Sequence, residues 1–145
     1  LIPILATVAA LAATMRHLQI PFNVLTGTIL SIGIGLGIDY SAHLVHRFSE
    51  EFHGETTLFE ALRISVSGTG GALAGSMITT TSGTGVLVLA ITPILGQFGL
   101  LIALSVLYSF IASIIILPAT IVVWAEVREL VQSESELIDS QSPEV

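Results

Sequence analysis

Four long apolar stretches constrain this chain more than anything else in it. A helix needs about 20 predominantly apolar residues to cross roughly 30 Å of hydrocarbon, and the stretches at about 1–18, 24–46, 71–91 and 97–124 approach that length. Of the 145 residues, 52% are hydrophobic and 10% charged, against roughly 25% charged in soluble domains. The expected fold is an all-α membrane protein with four transmembrane helices, occupying residues 1–125. Arg16 and His17 close the first stretch, where they can snorkel to the interface. Pro21 suits the turn before the second, Pro93 stops the third, and Trp124 fits an aromatic belt at the end of the fourth.

Between the second and third stretches lies a segment too polar to cross. Phe59, Leu62 and Val66 recur there at helical spacing after Thr57, which with Glu60 resembles a capping box, so a short amphipathic cytoplasmic helix is expected over about 57–67. Residues 126–145 read as an acidic, disordered cytoplasmic tail. Arg47, Arg63 and Arg128 fall on one side of a four-span arrangement and Arg16 on the other, which places the amphipathic segment and the tail in the cytoplasm. Most of the net charge of −7 comes from the segment Glu50 to Glu60 and from the tail, so the acidity belongs to solvated parts. No basic patch supports nucleic-acid binding, and with no cysteine there is neither a disulfide nor a thiolate metal site. The chain opens at Leu1 inside an apolar run, without the basic flank and cleavage site of a signal peptide, and reads as a piece of a longer polypeptide.

Asp39 stands inside the second stretch, where a carboxylate costs about 2.5 to 3.5 kcal/mol at the centre of a spanning helix. Thr28, Gly35, His43 and His46 share its helical face, with Ile32 as the apolar exception. Gluing the bundle would be cheaper with Ser or Thr, so the residue reads as a titrating group that couples proton binding to movement. His43 and His46 are either solvated interfacial residues or a proton-entry relay. A metal site at Asp39, His43 and His46 lacks a fourth ligand, and no cofactor is expected. Gly33, Gly35 and Gly37 allow close helix packing, Gly33 and Gly37 in the small-xxx-small pattern. The glycine runs do not follow a strand and do not end in Gly-Lys-Ser/Thr, which excludes a nucleotide loop. In the third stretch Ser76, Thr80 and Gly83 share a face with Thr79 beside them, and can offer hydroxyls to a buried aspartate or bond back to their own helix. In the fourth, Ser105, Tyr108, Ser109 and Ala112 form a small and polar face, and Pro118 should kink the helix.

The motif "GLGIDY", Gly35-x-x-x-Asp39-Tyr40, followed by "SAHLVHRFSEE", resembles the fourth or tenth transmembrane helix of resistance-nodulation-cell division (RND) exporters, specifically their MMPL-like branch. The similarity extends through "IPFNVLTGTILSIGIGLGIDY", "EALRISVSGTGGALAGSMITTTSGTGVLVLA" and "LGQFGLLIALSVLYSFIASIIILPA", almost everything from Leu1 to Trp124. It implies four spans of a six-helix half-bundle, the C-terminal half of the transporter, in the cell membrane. It also implies proton-motive-force-driven export of hydrophobic or lipid-like molecules, a transporter and not an enzyme. Asp39 and Tyr40 would form the proton relay, supported by His43, Ser76, Thr79 and Thr80. The implied partners are the bilayer, protons, a hydrophobic substrate, the remaining helices and the other half with its own Asp-Tyr pair. A sterol- or lipid-sensing module, or a SecD/SecF-type protein-translocation accessory, shares the helical arrangement and stands as the alternative.

Overall fold

The computed structural model describes residues 1–52 and 56–141, with side chains as far as Val131 except Glu129. Five α-helices follow in order: α1 Ile2–His17, α2 Val24–Glu51, α3 Leu58–Gly85, α4 Pro93–Ile111 and α5 Leu117–Gln141. A 3₁₀ turn, Val86–Leu89, follows α3, and a π-helical turn, Ala112–Ile116, joins α4 to α5 without a break. Among the described residues there is no strand. Val24–Glu51, Leu58–Leu89 and Pro93–Arg128 are long and apolar enough to cross a membrane, and α1 is a shorter apolar helix. The all-α membrane bundle of four helical rods is thus what the chain forms.

Local chemistry explains where the rods begin. Asn23 Oδ1 accepts from the Thr26 N–H at 3.0 Å while the Asn23 N–H donates to Thr26 Oγ1 at 2.8 Å, a reciprocal cap that starts α2. Thr57 Oγ1 accepts from the Glu60 N–H at 3.4 Å at the head of α3. Pro93 opens α4 at a first-turn position, where its missing N–H costs nothing. Gln19, at φ 54, takes the left-handed conformation that turns the chain away after α1.

Two elements differ from expectation. The amphipathic segment is not a separate helix: α3 runs unbroken from Leu58 to Gly85, so segment and span are one rod. The Ser67 hydroxyl bonds back to the Ile64 carbonyl at 3.2 Å without breaking the helix, and entering hydrocarbon requires the backbone bonds to be made within the helix. The expected disordered tail is helical as far as Gln141, because α5 continues through its Glu- and Leu-rich stretch; residues 142–145 lie outside the described residues.

α4 is the central rod and touches α1, α2 and α3. Leu11 and Met15 of α1, Ile29 and Tyr40 of α2, Leu73 of α3 and Leu101, Ile102 and Val106 of α4 make the buried core. Leu5, Ile38, Ile78, Ile91 and Ile115 point outward, a spread of exposed apolar surface that suits lipid and not water. Gly33 and Gly37 pack against α4: a β-carbon at Gly33 would overlap Ser105 Oγ, and one at Gly37 would stand 3.1 Å from Ser109 Oγ. One turn on, Ser41 Oγ and Ser113 Oγ are 3.0 Å apart. Gly35 meets nothing within 4 Å, so of the three glycines only Gly33 and Gly37 form the close packing within this chain.

Candidate functional site

α2 and α3 leave a cleft of about 330 Å³ between them. Asp39, Tyr40 and His43 line it from α2; Thr69, Ser76 and Thr80 line it from α3; Leu36, Ala72 and Leu73 complete the wall. The helical repeat explains the assembly. Asp39 and His43 are one turn apart on α2, and Thr69, Leu73, Ser76 and Thr80 follow one another at three- and four-residue steps along α3.

Consecutive residues on a helix diverge by about 100°, which gives the Asp-Tyr pair two environments. Tyr40 is buried, with its ring edge-on to Phe110 of α4 at 6.2 Å between centroids and 78° between planes. Asp39 is exposed in this chain, as are His43, Gly35, Ile32, Thr28 and His46. The face expected to be polar is therefore the one that α1, α3 and α4 leave uncovered. Among the described residues the Asp39 carboxylate has no hydrogen-bond or ionic partner. All four basic residues of the sequence are arginines, Arg16, Arg47, Arg63 and Arg128, and none of them lines the cleft. Hydroxyl groups are the polar surface that α3 offers the carboxylate.

The sequence-expected supporting residues divide. Ser76, Thr80 and His43 join Asp39 and Tyr40 in the cleft. Thr79 does not line it; its hydroxyl donates to the Gly75 carbonyl of its own helix at 2.9 Å. Thr69 was missed, although it lies seven residues before Ser76 on the same face. Also missed was the hydroxyl contact that ties α1 to α4, Thr14 Oγ1 to Tyr108 Oη at 2.9 Å. Among the described residues no cluster of three or more His, Cys, Asp or Glu could hold a metal ion.

At the other group of helix ends, Phe52, Phe59, Trp124 and Arg128 share a second cleft, with the Arg128 guanidinium 5.4 Å from the centre of the Trp124 ring. The end of α2, the start of α3 and the early part of α5 therefore meet at one end of the bundle.

Apolar rods of spanning length with a carboxylate-and-hydroxyl cleft between two of them define a multi-pass membrane protein that keeps a polar site among its helices. The sequence model of the MMPL family matches residues 1–139, and the chain belongs to that family. It is 36% identical over 123 residues to a membrane protein of Methanocaldococcus jannaschii, covering 85% of this chain and 32% of that protein. It is 31% identical over 90 residues to the apo-petrobactin exporter of Bacillus anthracis, covering 62% of this chain and 12% of that protein. The chain thus spans about a third or less of the length of these relatives. No solved structure matches it.

Proposed function

We propose that this chain forms part of the proton-relay transmembrane domain of an exporter of hydrophobic or lipid-like molecules, driven by the proton-motive force. The observation that carries the reading is the Asp39 carboxylate, without a hydrogen-bond or ionic partner among the described residues, in a cleft that it shares with a tyrosine, a histidine and hydroxyls. Membership of the MMPL family and the likeness to a protein named as an exporter support the transport class.

Asp39 is the proton carrier. A charged carboxylate among apolar helices is costly unless partnered, and protonation removes that cost. Proton binding therefore changes which packing of α2 against its neighbours is stable, which is how a gradient can bias two arrangements. Tyr40 positions the site, its ring held by Phe110. Ser76, Thr80 and Thr69 offer hydroxyls to the carboxylate, and His43, one turn along, stands where a proton can enter. The uncovered face of α2 packs on the other half of the transporter, which brings its own Asp-Tyr pair. The bundle sits in the cell membrane with the α2–α3 connection and α5 terminus in the cytoplasm, as the arginine distribution indicates.

In proteoliposomes of the complete transporter, substrate efflux should follow an imposed pH gradient and stop when a protonophore collapses it. Efflux that persists at equal pH on both sides with the protonophore present would sink the proposal. Tyr40→Phe keeps the buried ring and its edge-on contact with Phe110 and removes only the hydroxyl, so efflux should fall less than on loss of the Asp39 carboxylate, with unchanged yield of folded protein. The orientation has its own check. A cysteine placed at the exposed Glu60 should react with an impermeant maleimide only from the cytoplasmic side, and labelling only from outside would reverse the topology.

A further inference from the structure

The α2–α4 interface repeats itself every turn. Gly33 packs on Ser105, Gly37 on Ser109, and Ser41 bonds Ser113 at 3.0 Å, so the two helices run parallel with matched four-residue steps. Ser105, Ser109 and Ser113 are all fully buried, yet among the described residues only Ser113 has a hydroxyl partner; Ser105 Oγ and Ser109 Oγ make no hydrogen bond there. Buried hydroxyls without partners are uncommon, and here two stand in line with one that is satisfied.

We infer that α2 can step by one helical turn along α4, exchanging the Ser41–Ser113 pair for a Ser41–Ser109 pair. Moving α2 about 5.4 Å toward the start of α4 sets Gly37 opposite Ser105 and Ser41 opposite Ser109. One hydroxyl pair and two unpartnered serines exist before the step and after it, so the hydrogen-bond count does not choose between registers. Gly33 then faces Leu101, and the absent side chain leaves room for it. The far end of the rail can yield as well. The π-helical turn Ala112–Ile116 contains Ser113 and ends two residues before Pro118; such turns mark places where the regular α-helical ladder is already altered, so α4 can adjust without dragging α5. Interfaces with two discrete packings are known to switch by such one-turn steps. The step carries Asp39 one turn along the α3 wall of its cleft, but it does not depend on what Asp39 binds.

Two readouts on the complete transporter test this, with its other cysteines replaced. In membranes, oxidative cross-linking of Ser41→Cys/Ser113→Cys and of Ser41→Cys/Ser109→Cys should both give product. A control pair, Gly35→Cys/Ser109→Cys, should give none, since Gly35 faces away from α4. Spin labels at the exposed Ile38 and Ile111 leave the rail untouched and report its position. Ser113→Ala removes the partner of the present register and should raise the population at the second distance about fivefold, the effect of one hydrogen bond; Ser109→Ala should lower it by a similar factor. A single distance shared by all three proteins, with Ser41→Cys/Ser109→Cys no better cross-linked than the control, would overturn the inference.

Discussion

Asp39→Asn in the complete transporter should abolish gradient-driven export and leave the protein folded. The side chain is exposed in this chain and has no hydrogen-bond or ionic partner among the described residues, so the nearly isosteric amide breaks no contact within this bundle. Against the other half of the transporter the amide also spares the cost of burying a charge, so folding should hold. Function is another matter, because Asn keeps the size and hydrogen-bonding capacity of Asp and loses only the ability to take up and release a proton. Export should fall on the order of 100-fold or more, the scale of losing a proton-transfer group. The comparison is efflux from proteoliposomes under an imposed pH gradient, wild type and variant at equal protein content. Full gradient-dependent efflux by the variant would leave Asp39 as packing and end its assignment as carrier.

Gly99→Ala should be the most destabilising single methyl addition at any glycine of the described bundle. A β-carbon there would stand 2.5 Å from the Thr84 carbonyl oxygen and 2.5 Å from Leu87 Cβ. A backbone carbonyl cannot swing aside, so the start of α4 must move away from the end of α3. Overpacking of this kind costs about 1–3 kcal/mol, occasionally more. Gly33→Ala should cost less, because the principal obstacle is the Ser105 hydroxyl, which can rotate about χ1. Gly35→Ala should cost less than Gly99→Ala, since a β-carbon there meets nothing within 4 Å in this chain. Thermal unfolding of the three variants in detergent, followed by the loss of monodisperse protein, gives the order. Equal midpoints for Gly99→Ala and Gly35→Ala would show that the α3–α4 junction is looser than this packing.

Much of this could be read before any coordinates, because crossing a bilayer imposes a length and an apolarity that leave a plain trace. The start of α2 at Val24 and the end of α1 near His17 came directly from where apolar residues stop and turn or capping chemistry begins. The Asp39 face was legible from helical periodicity, and Ser76 and Thr80 with it. What was not legible depends on which helix meets which. The four-residue spacing already set Gly33 and Gly37 apart from Gly35 as a packing pair, but nothing local says that the helix they meet is α4 or that it brings serines in step with them. Thr79 could have served the cleft or its own backbone; its place on the helix beside the cleft face settled it for the Gly75 carbonyl. The continuity of α3 was hidden by a change of polarity near Ser67, which alters what the helix touches without altering the helix.

That continuity has a mechanical meaning. With 28 residues in one unbroken helix, α3 is a bar about 42 Å long, anchored at one end beside Phe52 and Trp124 and carrying Thr69, Ser76 and Thr80 further along. A tilt of about 5° at the Leu58 end displaces the Gly85 end by about 4 Å, by the same geometry. A push at the Leu58 end and a change in the hydroxyl wall facing Asp39 are thus two ends of one lever stroke.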